Sequence, residues 1–199
     1  MIIIPIIHTA ADMMSLQSAI PREEQDEQFA LAEWEKIFGY LHSLSAGFVT
    51  GLRVYQDGLP DTSGDNLNKI FAQAPGKNYE VLRWLRSNGA IVMGTESTEL
   101  MREEYKLLVA RYHAPNGELW AQATLEYAER RGRLLMERNA YIAQRIDHTL
   151  MPGEAGLLFI GLGHNIQPLL ADKMRLGQPR IFNPDRILAE WRGFRCQNV

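Results

Sequence analysis

The stretch GLLFIGLGHN, residues 156–165, joins a short apolar run to a glycine-rich exit that ends in a histidine and an asparagine. Apolar segments of strand length that are bounded by turn residues are typical of strands buried inside a sheet. Gly161 and Gly163 would allow a tight turn and a close backbone approach directly after such a strand. The stretch therefore predicts a buried strand that delivers His164 to the edge of a sheet.

Three further apolar runs have a similar length and are enriched in β-branched or aromatic residues. With residues 157–162 they predict four strands, the other three being residues 2–7, 47–55 and 90–94. Apolar residues at helical intervals predict helices over residues 22–44, 65–73, 78–87, 97–113, 118–150 and 183–194. Because parallel strands need long crossover connections, this alternation predicts an α/β fold. We expect a mainly parallel sheet of about four or more strands with helices on its faces, in a single domain over residues 1–199.

The composition indicates an ordinary globular protein. The chain has 199 residues, of which 46% are hydrophobic, enough to bury a substantial core. A formal net charge of -3 gives no general attraction to nucleic acid, and the single cysteine, Cys196, fits a reducing compartment. No uninterrupted apolar segment approaches the roughly 18 residues of a membrane span. We therefore expect a cytoplasmic protein without nucleic-acid or membrane partners.

The first apolar run, residues 2–7, is expected to be a strand and not a signal peptide. No basic segment precedes it, no small-residue cleavage signature follows it, and Pro5 interrupts it. Proline cannot donate to a strand ladder, so Pro5 predicts an edge position or an irregular strand.

Each predicted strand ends in a side chain that can bind a metal ion or transfer a proton. In chain order these side chains are His8, Asp57, Glu96 and His164. Ligands of open α/β sheets bind beyond the carboxyl ends of the strands, where parallel strands would bring the four residues to one edge. Imidazole nitrogen and carboxylate oxygen together suit zinc, manganese or iron(II). Without a metal, the same groups could act as acid and base, since histidine ordinarily titrates near neutral pH.

Each of these residues also has a structural interpretation. A histidine at a strand end is often a hydrogen-bonded loop residue, and Asp57 with Gly58 can simply form a turn. Glu96 can stabilise the positive end of the next helix. The matched placement of two histidines favours a site. GLGHNI is not a dinucleotide loop, because Ile166 stands where a third glycine is required.

The long predicted helix carries two polar residues of interest. Asn139 shares one helical face with three apolar residues, Leu135, Ile142 and Ile146. Arg138 stands on the neighbouring ridge, where it could bind an anionic substrate group or fix a carboxylate. The alternative for Arg138 is an ordinary surface salt bridge.

The remaining histidines and the tryptophans are predicted to be structural. The histidines in or beside helices are His42, His113 and His148. Tryptophans in amphipathic helical patterns favour core positions over ligand stacking, and these are Trp34, Trp84, Trp120 and Trp191.

ERNAYIAQRIDHTLMPGEAGLLFIGLGHNI, residues 137–166, resembles the TraB and Tiki superfamily, which also includes ChaN-like haem-binding and erythromycin-esterase-like proteins. Members typically show an E-R-N helix followed by a strand that ends in G-x-G-H. Glu137-Arg138-Asn139 and Gly161-Leu162-Gly163-His164 match these motifs. An earlier G-x-x-H motif is matched by Pro5-Ile6-Ile7-His8, with proline in place of glycine. The acidic strand ends of the family would correspond to Asp57 or Glu96.

This resemblance implies a metal-supported or histidine-assisted hydrolytic site in some relatives and haem or other ligand binding in others. Together with the strand-end residues, it favours a metal-dependent hydrolase with a small-molecule or peptide substrate. The expected metal ligands are His8, His164 and Glu96. The expected catalytic residues are Glu96, Asp57 and Arg138, with Arg138 stabilising the developing oxyanion. The expected cofactor-contacting residues are Gly161, Gly163 and Asn165.

Two alternatives remain open from the sequence. One is a non-catalytic protein that uses the same histidines to bind haem or another small ligand. The other is a protein whose helical faces mainly form a homo-oligomer, with the strand-end residues no longer functional.

Overall fold

A parallel β-sheet forms the centre of the computed structural model, which describes residues 1–9, 24–62 and 64–197. Its strands are β1 (Ile2–Ile6), β2 (Arg53–Gln56), β3 (Ile91–Met93) and β4 (Gly156–Gly161). They lie in the order β1-β4-β2-β3, and every pair is parallel. The predicted α/β class with a mainly parallel sheet is therefore confirmed. β1 is an edge strand, the position that Pro5 predicted.

The helices of the described residues include the six that the sequence predicted and two short ones that it did not. They are α1 (Glu24–His42), α2 (Ala46–Val49), α3 (Gly64–Gln73), α4 (Lys77–Ser87), α5 (Thr98–Tyr112), α6 (Gly117–Thr149), α7 (Gln167–Leu170) and α8 (Pro184–Gln197), with a 3-10 turn at Arg180–Phe182. Side-chain oxygens of Ser97 and Asn116 accept backbone N–H bonds at the starts of α5 and α6. Residues 22 and 23, at the predicted start of α1, lie outside the described residues. No described helix combines the length and the apolar character needed to cross a membrane.

The second predicted strand, residues 47–55, was too long. Residues 46–49 form the short helix α2, and Gly51 turns the chain at a φ of 79° before β2 begins at Arg53. Val49 of this helix is buried, so a helical turn can bury an apolar side chain of this run as a strand would. Short apolar runs do not distinguish the two structures by pattern alone.

Alternate residues of the strands enter two hydrophobic cores. The first contains Ile4, Ile6, Val54, Leu157 and Phe159 with apolar residues of α1 and α4. The second contains Ile3, Tyr55, Leu158 and Ile160 with Ile142, Ala143 and Ile146 of α6. Successive side chains of a strand point to opposite faces, so the sheet is covered by helices on both sides. Because both faces of the sheet are buried, the pairing register of the strands is fixed, and their carboxyl ends stay aligned.

The tryptophans differ in burial. Trp34 is completely buried and confirms the prediction of a core position, whereas Trp120 is 50% exposed. The prediction for Trp120 was wrong because the first turn of α6 is exposed to solvent on all sides.

Candidate active site

The ends of β1, β2 and β4 bring three of the predicted site residues into direct contact. Asp57 directly follows β2, and its Oδ2 lies 3.0 Å from Nε2 of His8 and 3.2 Å from Nε2 of His164. These residues meet because β4 pairs in parallel with both β1 and β2. The structure therefore assembles the two histidines around one carboxylate oxygen, at the common sheet edge that the parallel arrangement predicted.

Glu96 joins the site through Arg138. Nε and one terminal nitrogen of Arg138 donate to Glu96 at 3.2 and 2.5 Å, in a bidentate pair. The same terminal nitrogen donates to Oδ1 of Asp57 at 2.8 Å, and the other donates to Glu104 at 2.6 Å. These bonds use four of the five N–H donors of the guanidinium. The geometry supports the carboxylate-fixing role for Arg138, whose side chain is only 12% exposed and forms no ordinary surface salt bridge.

Three residues could hold a metal ion. One ligand atom each from Asp57, Glu96 and His164 lies within 4.8 Å of the other two, and both acids are buried. The predicted metal set of His8, His164 and Glu96 differs from this group, because Asp57 takes part and His8 lies beside it. Carboxylate oxygens and an imidazole nitrogen are suitable ligands for zinc, manganese or iron(II), so the donor chemistry fits a divalent ion.

Asn139 orients His164 from α6. Its Oδ1 lies 2.6 Å from Nδ1 of His164, and the residue is buried on the inward face of the helix, as its position in the apolar stripe predicted. An amide oxygen only accepts, so Nδ1 of the ring donates to it, and the other ring nitrogen, Nε2, points toward Asp57. Such a partner fixes both the tautomer and the ring orientation of a metal-binding histidine.

The two glycines of the GLGH motif have different surroundings. The backbone N–H of Gly161 donates to Oδ2 of Asp57 at 3.0 Å. A Cβ at Gly161 would lie 2.7 Å from that oxygen and 3.3 Å from Nε2 of His8, whereas a Cβ at Gly163 would meet nothing within 4 Å. Gly161 therefore permits the close approach, and Gly163 lines the adjacent cavity without being sterically required. Asn165 is exposed and is not among the described residues that line this cavity.

The acids of the site have opposite pKa shifts. Burial and the nearby charge of Asp57 raise the pKa of Glu96 to about 7, against the opposing effect of Arg138. Burial would also raise the pKa of Asp57, but His8 and His164 hold it well below its ordinary value. Burial lowers the pKa of Arg138, and the charges of Asp57 and Glu96 raise it by more, so the guanidinium stays charged. Two carboxyl groups in one site thus differ in protonation near neutral pH.

A cavity of about 810 Å³ opens beside these residues. Its polar lining includes His8, Asp57, Glu104, Arg138 and His164. Much of the remaining lining comes from apolar residues of α5, α6 and α8, among them Met101, Leu108, Leu135 and Leu188. Glu96 is completely buried and is not among the described residues that line the cavity, and its carboxylate pairs with Arg138. Of the two acids that the sequence could not rank, Asp57 is therefore the one that faces the cavity.

The sequence did not reveal two contributors to this region. Glu104 pairs with Arg138, and Trp191 lines the cavity with its ring N–H bonded to Asp26 at 2.9 Å. A signal for the α5 wall was present, because Met101, Tyr105 and Leu108 recur at helical spacing on one face. Such a stripe normally indicates contact with the core, so it gave no reason to expect a cavity.

The roles predicted for these residues remain predictions, and so does the TraB and Tiki resemblance. Comparison with protein-family models, with curated proteins and with solved structures finds no match to this chain.

Proposed function

We propose that the protein is a metal-dependent hydrolase whose reaction centre is the sheet edge where His8, Asp57 and His164 meet. The observation that carries this proposal is the contact of two imidazole Nε2 atoms with one buried carboxylate oxygen. A shared partner of this kind orients both rings toward a single point. The adjacent cavity provides the space for a substrate.

Asp57, Glu96 and His164 would hold the divalent ion. When bound, such an ion supplies Lewis acidity, which lowers the pKa of water and polarises a carbonyl group. Arg138 holds both carboxylates in place, and Asn139 holds the ring of His164. These two α6 residues therefore preorganise the site before substrate arrives.

His8 is the proton-transfer group of this proposal. Its side chain is 26% exposed and lines the cavity, and Asp57 orients its ring. As the oxygen of the attacking water bonds to the substrate carbonyl carbon, His8 accepts one proton from that water. His8 then donates the proton to the leaving group when the bond between that group and the carbonyl carbon breaks.

The haem-binding alternative receives less support from the geometry. The carboxylate of Asp57 lies 3.0 and 3.2 Å from the two Nε2 atoms, where it can share one small ion with an imidazole but stands in the space that a porphyrin around an axial nitrogen needs. The charged partners at this edge suit hydrolytic chemistry better than an apolar macrocycle.

Metal content separates the ligands from the proton-transfer residue. We expect protein purified without chelator to carry close to one equivalent of a divalent metal by elemental analysis. Asp57→Asn and His164→Ala should lose it, while His8→Ala should retain most of it. His148→Ala, an exposed histidine of α6, is the matched control and should behave as the parent. Equally negligible metal in all these proteins would contradict the proposal.

Activity tests the same proposal on p-nitrophenyl esters. The parent and His148→Ala should hydrolyse them, a chelator should abolish the reaction, and re-added metal should restore it. His8→Ala should lower kcat by about 100-fold or more despite bound metal, as expected for loss of a general acid–base group. Hydrolysis that is insensitive to the chelator and to His8→Ala would refute the assigned roles.

A further inference from the structure

The cavity indicates a substrate class, and the inference drawn from it rests on the proposed function. We infer that the substrate is an ester or amide of a long unbranched acyl chain. Its chain lies in the apolar part of the cavity, and its carbonyl group lies beside His8 and Asp57.

The first support is the length of the α5 wall. Thr98, Met101, Tyr105 and Leu108 line the cavity from one helical face. At about 1.5 Å of rise per residue, the distance along α5 from Thr98 to Leu108 is about 15 Å. Thr98 lies close in sequence to Glu96, and Glu104 of the same helix bonds to Arg138, so this wall runs alongside the reaction centre and continues to Leu108. An elongated ligand matches such a shape.

The second support is the chemistry of the lining. Beside the α5 residues, the cavity is lined by Leu135 of α6 and by Leu188 and Trp191 of α8. The acidic lining residues Asp57 and Glu104 are both bonded to Arg138, and Arg102 is exposed to solvent. The wall beyond the reaction centre therefore offers mainly apolar contact. A peptide or sugar in this space would leave polar groups without partners, which is costly when they lose water.

The third support is size. The cavity volume of about 810 Å³ falls in the ordinary range for sites that enclose a ligand of drug size, which leaves room for a long acyl chain beside the reaction centre.

A series of p-nitrophenyl esters from acetyl to hexadecanoyl tests the inference through activity. We expect kcat/KM to rise by up to about fourfold per added methylene, the equivalent of about 0.8 kcal/mol, and to level off when the cavity is filled. Hydrolysis that does not depend on chain length overturns the acyl-chain inference and leaves the hydrolase proposal standing. Absence of hydrolysis with every ester refutes the hydrolase proposal. The acyl-chain inference is then tested by binding of straight-chain alcohols.

Binding is measured without catalysis by displacing the neutral probe N-phenyl-1-naphthylamine with straight-chain alcohols from butanol to dodecanol. We expect tighter displacement with each methylene. Leu135→Trp, which fills the cavity from α6, should weaken displacement by the longer alcohols at least tenfold. Leu125→Trp, at a position of α6 that is 66% exposed, is the matched control and should have no effect. Displacement independent of chain length, or equal behaviour of the two variants, overturns the inference.

Discussion

Asp57 is only 2% exposed, and its carboxylate is in contact with His8, His164, Arg138 and the backbone amide of Gly161. An unpartnered carboxylate at this depth would cost several kcal/mol, so the surrounding donors are needed to keep it ionised. The same donors fix both of its oxygens in space. Asp57 is thereby an anchored anion, able to orient an imidazole on one side and to bind a cation on the other.

Replacing the two glycines of the GLGH motif tests this dependence. Gly161→Ala places a Cβ 2.7 Å from Oδ2 of Asp57, so the carboxylate must move and its contacts with the histidines must weaken. We expect at least a tenfold loss of metal affinity, measured by chelator competition. Gly163→Ala, where a Cβ meets nothing within 4 Å, should retain parental affinity. Equal affinity in the two variants would contradict the importance of the close approach.

Among the helices, α6 connects the sheet to the functional residues. Ile142 and Ile146 pack in the core, while Arg138 and Asn139 reach the strand ends one turn earlier along the same helix. Arg138 also pairs with Glu104 of α5, so one side chain links α5, α6 and the loops after β2 and β3. The position of α6 thus depends on the ion pairs of Arg138 and on the apolar packing of Ile142 and Ile146.

Removing the guanidinium should destabilise this arrangement. Arg138→Met leaves the buried acids Asp57 and Glu96 without their cation, which we expect to lower the free energy of unfolding by about 3–5 kcal/mol at pH 8. Arg133→Met is the control, because the Arg133 side chain is 61% exposed and its ion pair with Glu137 is 4.0 Å long. That control should change stability by less than about 0.5 kcal/mol. Denaturant unfolding with a chelator present measures both, and similar values would refute the structural role of Arg138.

For the fold as a whole, the site makes stability depend on pH in two directions. The pKa of Glu96 is raised in the folded state, so its stabilising contribution is complete below its unfolded pKa and is lost as the pH rises through about 7. The pKa of Asp57 is lowered, so its contribution is present above its unfolded pKa and is lost at more acidic pH. From these two groups alone, we expect the metal-free protein to be most stable in mildly acidic solution, where Glu96 is still protonated and Asp57 is ionised.

Comparison with Glu96→Gln isolates the first of these effects. Glutamine imitates the protonated acid but does not ionise, so the variant lacks the loss of stability on raising the pH. From pH 5 to pH 8 the parent should lose on the order of 3 kcal/mol relative to Glu96→Gln. Chemical unfolding with a chelator at both pH values measures the difference, with exposed Glu137→Gln as the control. A pH-independent difference would show that Glu96 titrates normally.

Much of this organisation could be predicted from local patterns. Apolar runs and helical spacing identify the strands and helices, because burial imposes a period on each kind of element. Parallel pairing follows from the intervening helices, and it places His8 and His164 at the same edge. Even the inward position of Asn139 follows from helical spacing, since Leu135 and Ile142 lie on the same face. One exception is the start of β2, where a short apolar run suited a helical turn equally well.

Tertiary structure alone decided which groups touch. Asp57 and Glu96 are indistinguishable as strand-end acids in the sequence, but the fold places Asp57 in contact with both histidines and pairs Glu96 with Arg138. Glu104 and Trp191 enter the site region through packing of α5 and α8, which the sequence around each residue does not show. The physical reason is range: periodicity reports the burial of each element, whereas bond distances of about 3 Å depend on how distant elements pack.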